Sequence, residues 1–438
     1  MKPRFVISCP FDTYSGYGAR SRDIVKAIIS LDKYHVQLLP QRWGSCAWGF
    51  CAEHEEWKFL LNHIAPQNWN QQQPDIWMQI TIPNEFNPIG KFNIGCTAGI
   101  ESTACKPEWV IGMNRMNMNF VSSNHAKKVF QAMTYEERDK NTKQLKSTLI
   151  STKPIHVIFE GANLDIYKPL KEKNDLDLSS IKESFNYLFV GHWMNGELGH
   201  DRKNVGYMIK AFLETFKNKK RKPGLILKAS TGVESYISRD TILKKIKDIK
   251  ATVNSNDLPN IYLLNGSFSD EDMNKLYNHS KIKAMLSLTK GEGFGRPLLE
   301  FSLTGKPVIA SGWSGHTDFL NPNFSFHIKG ELENVHKSAA NDWLIPESQW
   351  FKADAAHTGF YLTDVFSNYK KYSTKSKHQG KYAKSNFSWD KMKELVGNIL
   401  EANIPEFAQE LSLKLPTLKK QEPKIELPKL NLPVLKKK

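Results

Sequence analysis

Residues 288–300 read Leu-Thr-Lys-Gly-Glu-Gly-Phe-Gly-Arg-Pro-Leu-Leu-Glu and join an apolar run at 284–288 to a helical pattern at 297–303. Three glycines and two glutamates share the ten positions from Gly291 to Glu300. Gly291, Gly293 and Gly295 let the backbone approach a ligand without a Cβ in the way. Pro297 suits a first helical turn, whose unpaired N–H groups face the same loop and favour an anion. A diphosphate fits such a pocket. Glu292 on the loop and Glu300 on the helix flank it and are placed to accept hydrogen bonds from hydroxyls, as a sugar would offer. The stretch therefore reads as the strand, phosphate loop and helix of a doubly wound α/β domain.

The same alternation continues on both sides. Upstream, strands are expected at 187–190, 225–229 and 261–264, and helices at 205–216, 241–249 and 271–277; downstream a strand follows at 308–310. A second set occupies the N-terminal part, with strands at 4–8, 35–39, 76–80, 92–97, 120–122 and 156–159 and helical patterns at 57–63 and 125–132. After the first strand come a turn at Gly16-Tyr-Gly18 and a helix whose face is marked by Ile24, Ile28 and Leu31. Residues 167–180 are charged and poor in apolar side chains, as an interdomain connection is. After about 343 the pattern is helical, and Ser388 or Asp390 caps a helix over 392–400. The expected organisation is two Rossmann-like domains at 1–170 and 171–385, a helix at 386–404 and a Lys/Pro-rich tail at 405–438. Leu-Pro pairs at 415–416, 427–428 and 432–433 predict an extended, mobile tail. Two sheets of this type bind ligands in the crevice beyond the carboxyl ends of their strands.

Composition fits two cores. The chain has 438 residues, 40% of them hydrophobic, and a single core rarely grows past about 250–300 residues. No stretch approaches the roughly 18 uncharged apolar residues of a spanning helix. The opening residues lack the apolar run and cleavage site of a secretory signal, so a cytoplasmic protein is expected. Five cysteines form no disulfide framework or zinc pattern, and reduced buried thiols are expected. The net charge of +16 includes +6 in residues 411–438, and the cations are 51 Lys against 10 Arg. Lysine is a solvated point charge rather than a fork that reads phosphates and bases, which points to a solvated surface. Contact of the 411–438 tail with an anionic surface or partner is a minor expectation.

In the form E-x7-E, Glu292 and Glu300 stand within a segment that continues through Phe301-Ser-Leu-Thr-Gly-Lys-Pro-Val-Ile-Ala310 and resembles the donor-site signature of retaining glycosyltransferases of family 4. Further segments are similar to that family: Phe120 to Phe130, Val157 to Asp165, Phe189-Val-Gly-His192 with Arg202-Lys-Asn204, and Phe387-Ser-Trp-Asp-Lys391. The resemblance spans about residues 4–404 and implies the GT-B fold, two facing Rossmann-like domains with a C-terminal helix crossing back. It implies that Glu292 contacts the transferred sugar, Glu300 the ribose, and Arg202 and Lys203 the diphosphate of a nucleotide-sugar donor. Gly16 and Gly18 would line the cleft, and Gly293, Phe294 and Gly295 would complete the donor pocket. It implies no metal, no cofactor and no obligatory protein nucleophile.

Two departures stand out. The family's Gly-Arg after the first donor-domain strand is Gly191-His192 here, followed by an insertion before Arg202, so the phosphate cation is either Arg202 with Lys203, the favoured reading, or His192. Its helper His is absent from residues 77–85. Glu101 resembles an acceptor-side Glu of one branch of the family. His125, at a helix start after Ser122-Ser-Asn, is explained by capping and solvent exposure, with an acceptor-side role as its functional reading. Asp175-Leu-Asp177 has a metal-binding form but lies in the connection, and His192, His200 and Asp201 fall in a variable loop; neither reads as a metal site. The aromatic residues of 42–50 either make a platform for an acceptor sugar or plug the core. The acceptor is open: glycan, lipid-linked saccharide, protein or DNA base. Alternatives to a glycan-directed enzyme are a DNA-base-modifying glycosyltransferase, a non-catalytic nucleotide-sugar or glycan binding protein, and a phosphorylase or epimerase on the same scaffold.

Overall fold

The first strand, β1 (Arg4–Cys9), carries five consecutive buried residues, the pattern of a strand covered on both faces. It belongs to a computed structural model that describes residues 2–170, 174–232 and 234–407. The Lys/Pro-rich segment from 408 onward lies outside the described residues. After β1 come α1 (Gly16–Ser30), β2 (His35–Pro40), the short α2 (Phe50–Glu53), β3 (Ile76–Ile80) and β4 (Phe92–Cys96). Then follow α3 (Pro107–Arg115), β5 (Met118–Val121), α4 (Asn124–Ala132), the hairpin β6 (Thr134–Arg138) and β7 (Leu145–Ile150), and β8 (Ile155–Val157). β2, β1, β3, β4, β5 and β8 form one parallel sheet in that order.

The second half repeats the plan. Its elements are β9 (Asn186–His192), α5 (Val205–Phe216), β10 (Gly224–Ser230), α6 (Tyr236–Ala251), β11 (Ile261–Leu264), α7 (Asp270–Asn278) and β12 (Ile282–Ser287). They continue with α8 (Arg296–Ser302), β13 (Val308–Ser311), β14 (Phe326–Ile328), the hairpin β15 (Gly330–Asn334) and β16 (Gln349–Ala353), and the helices α9 (Ala355–Ser367), α10 (Tyr369–Asn386) and α11 (Trp389–Asn403). The second parallel sheet runs β11-β10-β9-β12-β13-β14, the dinucleotide-fold order. Both faces are covered. Tyr187 and Phe189 of β9 pack with Leu225 and Leu227 of β10 in one apolar cluster, while Leu188 and Ile226 enter the cluster on the opposite face, the period of two that strands impose. Ser388 caps α11 by accepting from Lys391 N. The helix returns to the first half and packs on α1, with Lys33 and Glu401 paired at 3.0 Å.

Several expectations need correction. Gly16-Tyr-Gly18 is the first turn of α1 itself, because the Ser15 side chain caps the helix by accepting from Gly18 N; that cap offsets the helix-breaking tendency of two glycines. Residues 55–63 form a 3-10 helix rather than an α-helix. The helical reading after 343 fails at β16, where Trp350, Phe351 and Ala353 are buried and pair antiparallel with β15. The 167–180 connection also carries core residues, with Tyr167 and Leu178 buried against the second half. Strand order reverses between β1 and β3 in one sheet and between β9 and β12 in the other. Ligands of open α/β sheets bind at such points.

Candidate active site

The loop after β12 meets the loop after β4 of the other half. A Cβ on Gly291 would collide with the Glu101 carbonyl oxygen, and one on Gly293 would stand 2.6 Å from the Ala98 carbonyl oxygen. Both glycines therefore admit the backbone of the opposite half. Gly295 precedes α8 with φ of 99°, in the left-handed region. The loop is pinned from several sides: Glu292 N donates to Ser314 Oγ at 2.9 Å, Gly315 N to the Glu292 carbonyl at 2.9 Å, and Ser122 Oγ of the first half to the Gly293 carbonyl at 2.9 Å.

A cluster of charges sits on this junction. Lys203 Nζ is 2.5 Å from one Glu292 carboxylate oxygen and Arg202 is 3.5 Å from the other. Arg202 also donates to the Gly291 carbonyl at 2.8 Å and lies 3.8 Å from Glu101. All but Glu101 are close to fully covered. Burial would raise the Glu292 carboxyl, but Lys203 and then Arg202 outweigh it and bring its pKa down to about 2. Burial lowers the Lys203 ammonium, with Glu292 opposing. Burial would lower Arg202 too, but Glu101 and Glu292 raise it. The structure thus brings Glu292, Arg202, Lys203 and Glu101 together.

Glu300 has a different setting. Its carboxylate is 3.1 Å from Arg296 Nε and receives a 3.4 Å hydrogen bond from Tyr277. Burial dominates, and its pKa rises to about 8. Arg296 reaches on to Asp23 of α1 at 2.7 Å, which spans the two halves. Sequence reasoning missed Arg296, Asp23, Ser122 and Ser314. The four-residue spacing from Arg296 to Glu300 on a helix was a usable signal; the others act only across the fold.

Other singled-out residues are dispersed. Phe294 is 3% exposed and packs on Phe319 at 4.9 Å, so its ring belongs to the core. Gly18 is buried at the start of α1, and Gly16 has open space where a Cβ would be. Between them, Tyr17 places its hydroxyl 2.9 Å from Thr97 Oγ1 and accepts from Ala98 N. His192 sits 2.9 Å from Ser230 Oγ, and burial and then Lys203 lower its pKa. His125 does not cap its helix, a task that Ser123 performs, and it is not solvated. Its ring stands edge-on to Trp313 at 4.6 Å, Nε2 has no hydrogen-bond partner among the described residues, and burial pushes its pKa to about 4. Asp175 pairs with Lys275 at 2.9 Å, Asp201 accepts from Val205 N at the start of α5, and His200 stacks on His336 at 4.1 Å. Trp48 and Tyr14 are 40% and 37% exposed, so the 42–50 aromatic residues are not merely a core plug.

Comparison with known proteins agrees with this architecture. Residues 241–345, which contain the glycine loop and both glutamates, match the family model described as glycosyl transferases group 1. No curated protein matches the sequence. Among solved structures, a sucrose-phosphate synthase from Thermosynechococcus elongatus has a TM-score of 0.58 at 11% identity, covering 92% of this chain and 99% of that one. HepE of Anabaena, in complex with UDP-glucose, has a TM-score of 0.57 at 14% identity, covering 91% and 100%. A glycosyltransferase from Rickettsia africae has a TM-score of 0.58 at 14% identity, covering 93% and 100%. Among the described residues no helix is long and apolar enough to cross a membrane. The chain has the GT-B fold, two Rossmann-like domains whose facing loops carry Glu292 and its cations.

Proposed function

We propose that the protein is a cytoplasmic retaining glycosyltransferase of the family 4 type, which moves a sugar from a nucleotide-diphosphate donor to an acceptor held by the N-terminal half. The observation that carries the reading is the Lys203–Glu292–Arg202 cluster at the carboxyl ends of β9 and β12. As the acceptor oxygen bonds to the anomeric carbon, the bond from that carbon to phosphate breaks and the diphosphate gains charge. Arg202 and Lys203 meet that charge, so they bind the transition state more strongly than the ground state. The acceptor proton passes to the departing phosphate oxygen, so no protein nucleophile is needed. Glu292 orients hydroxyls of the transferred sugar, and Glu300 holds the ribose. The reading asks for no cofactor and no metal beyond the donor itself.

The test is a screen of UDP-, GDP-, ADP- and TDP-sugars for thermal stabilisation and slow donor hydrolysis. UDP-sugars come first, because HepE was solved with UDP-glucose. One nucleotide series is expected to stabilise the chain and be hydrolysed, with both effects weakened in Glu300→Ala and Arg202→Ala. Loss of one charge-assisted bond, about 1.5–3 kcal/mol, slows turnover by roughly ten- to a hundred-fold in Arg202→Ala. Binding without hydrolysis would favour the binding-protein alternative, and no binding by any donor would refute the site.

A further inference from the structure

Two short segments bring several rings to the mouth of the N-terminal half. Asp12 holds them together: its carbonyl accepts from Gly49 N at 3.0 Å and Phe50 N at 3.2 Å, and its carboxylate accepts from Cys51 N at 2.7 Å. Tyr14 N donates to the Ala47 carbonyl at 3.1 Å, and Thr13 forms an antiparallel bridge with Trp48. On this base Tyr17 stacks on Trp43, with centroids 3.9 Å apart and planes at 21°. The Tyr17 hydroxyl is fixed to Thr97 and Ala98, and Ala98 is the residue whose carbonyl faces Gly293, next to Glu292. The ring stack thus stands on the backbone that touches the reacting loop.

Trp48 and Tyr14 keep 40% and 37% of their surface in water. Leaving large rings exposed on loops pinned by five backbone hydrogen bonds or bridges forgoes burial energy. A pyranose matches them, with an apolar C–H face for a ring and a rim of hydroxyls for polar neighbours. Such neighbours are present. Arg42 lies 5.7 Å over the Trp48 ring, and the Tyr14 hydroxyl donates to Glu53. The charge of the adjoining turn argues against a polyanion, because Glu53, Glu55 and Glu56 are all exposed there and Lys58, paired with Glu55 at 2.5 Å, offsets one of the three.

We propose that Tyr14, Tyr17, Trp43 and Trp48 form an acceptor subsite for an uncharged saccharide, which stacks a pyranose on the exposed rings and directs a hydroxyl toward the Glu292 loop. The proposal rests on the transferase reading above. It makes the acceptor a carbohydrate chain rather than a nucleic-acid base.

The test uses the full chain and the donor found by the screen, with maltotriose, cellotriose and chitotriose as saccharide probes and a short DNA duplex as the competing acceptor. Nucleotide release is measured with and without each probe, and every variant is normalised to its own hydrolysis of donor alone. One saccharide is expected to raise release in the parent. Tyr14→Ala and Trp48→Ala each raise the concentration needed for half the effect by roughly three- to ten-fold, the share of one lost ring contact. Trp48→Phe recovers most of it. Tyr236→Ala, which removes a ring 79% exposed at the start of α6, leaves it unchanged. If donor is hydrolysed but no saccharide stimulates, if stimulation in both ring variants equals that of the parent, or if only DNA stimulates, the subsite is refuted and the transferase reading stands. If no donor is hydrolysed, both fail.

Discussion

Replacing Glu292 by Gln removes the carboxylate that neutralises Lys203 and Arg202 while keeping its size. The two cations are each 14% exposed, and Glu101, 3.8 Å from Arg202, is their remaining ion-pair partner among the described residues. The magnitude follows from the carboxyl itself, whose pKa falls from 4.5 to about 2 in the folded chain. That displacement corresponds to about 3 kcal/mol of stabilisation at neutral pH. In a chain of this length the loss should lower Tm by roughly 3–6 °C. The sign fixes a pH window. A depressed carboxyl stabilises fully above the unfolded value near 4.5 and progressively less as pH falls toward 2, so the gap between parent and variant should drop to less than half by about pH 3.

Calorimetry at pH 7, 5 and 3 would measure the gap, and UDP adds a second arm. Once Glu292 no longer competes for Lys203 and Arg202, the diphosphate should raise the Tm of Glu292→Gln more than that of the parent, while turnover is lost. A variant as stable as the parent at pH 7, or a gap that does not shrink at low pH, would refute the assignment of Glu292 as the counter-charge. A smaller UDP effect in the variant would remove Arg202 and Lys203 from the phosphate site.

Three further outcomes are expected. Arg296→Ala strands the buried Asp23 and removes the cation beside Glu300, and should cost about 3 kcal/mol or more in chemical denaturation; a double-mutant cycle with Asp23→Asn should show coupling, and strict additivity would refute the clasp. Glu300→Gln mimics the protonated form that the fold favours up to pH of about 8. Because the folded chain holds that proton while the unfolded chain loses it near pH 4.5, the parent loses stability as pH rises through this window. Glu300→Gln should therefore be the more stable protein by roughly 3 kcal/mol at pH 7 and by little at pH 4, with weaker nucleotide binding; a constant gap across pH would contradict the linkage. Gly291→Ala drives a Cβ into the Glu101 carbonyl and should cost about 1–3 kcal/mol, with donor turnover falling more than donor affinity; unchanged kinetics would mean that the two loops do not need this contact.

What the sequence exposed follows from physics. Ile76–Ile80 reads as a strand because all five residues are buried on a sheet covered twice, and 205–216 reads as a helix because its apolar stripe meets a core. The hairpin of β6 and β7 was invisible, since Thr134–Arg138 is mostly exposed and three of its five residues are charged. The site divides similarly. Glu292 and Glu300 announce themselves by the glycines around them, and Arg202 and Lys203 by a resemblance. Asp23, however, lies on α1 far from Arg296 in sequence, and before folding it is one acidic residue among many. The burial of the Phe294 ring was equally illegible, because Phe319, which packs on it, is 25 residues away in the sequence.

The cluster at Glu292 also constrains how a donor enters. Two cations, Arg202 and Lys203, face two carboxylates, Glu101 and Glu292, so the charges balance with no ligand present. In the proposed transferase a diphosphate would reach the cations by displacing carboxylate, which would free Glu292 for sugar hydroxyls and weaken the pairing of Arg202 with Glu101 across the two halves. The glycine loop meanwhile lies against the Ala98 and Glu101 backbone, so on the proposed reading the halves would part to admit a nucleotide sugar. Closure around the donor then has to be held by contacts that the phosphate does not compete for. Such contacts across the halves include Arg296 with Asp23 at 2.7 Å, Ser122 with the Gly293 carbonyl at 2.9 Å, Asn124 N with Asp318 at 2.7 Å and Thr103 N with the Gln349 carbonyl at 2.9 Å. Of these, Arg296 also touches Glu300, so the residue that would hold the ribose and the clasp that would hold the closed state share one guanidinium.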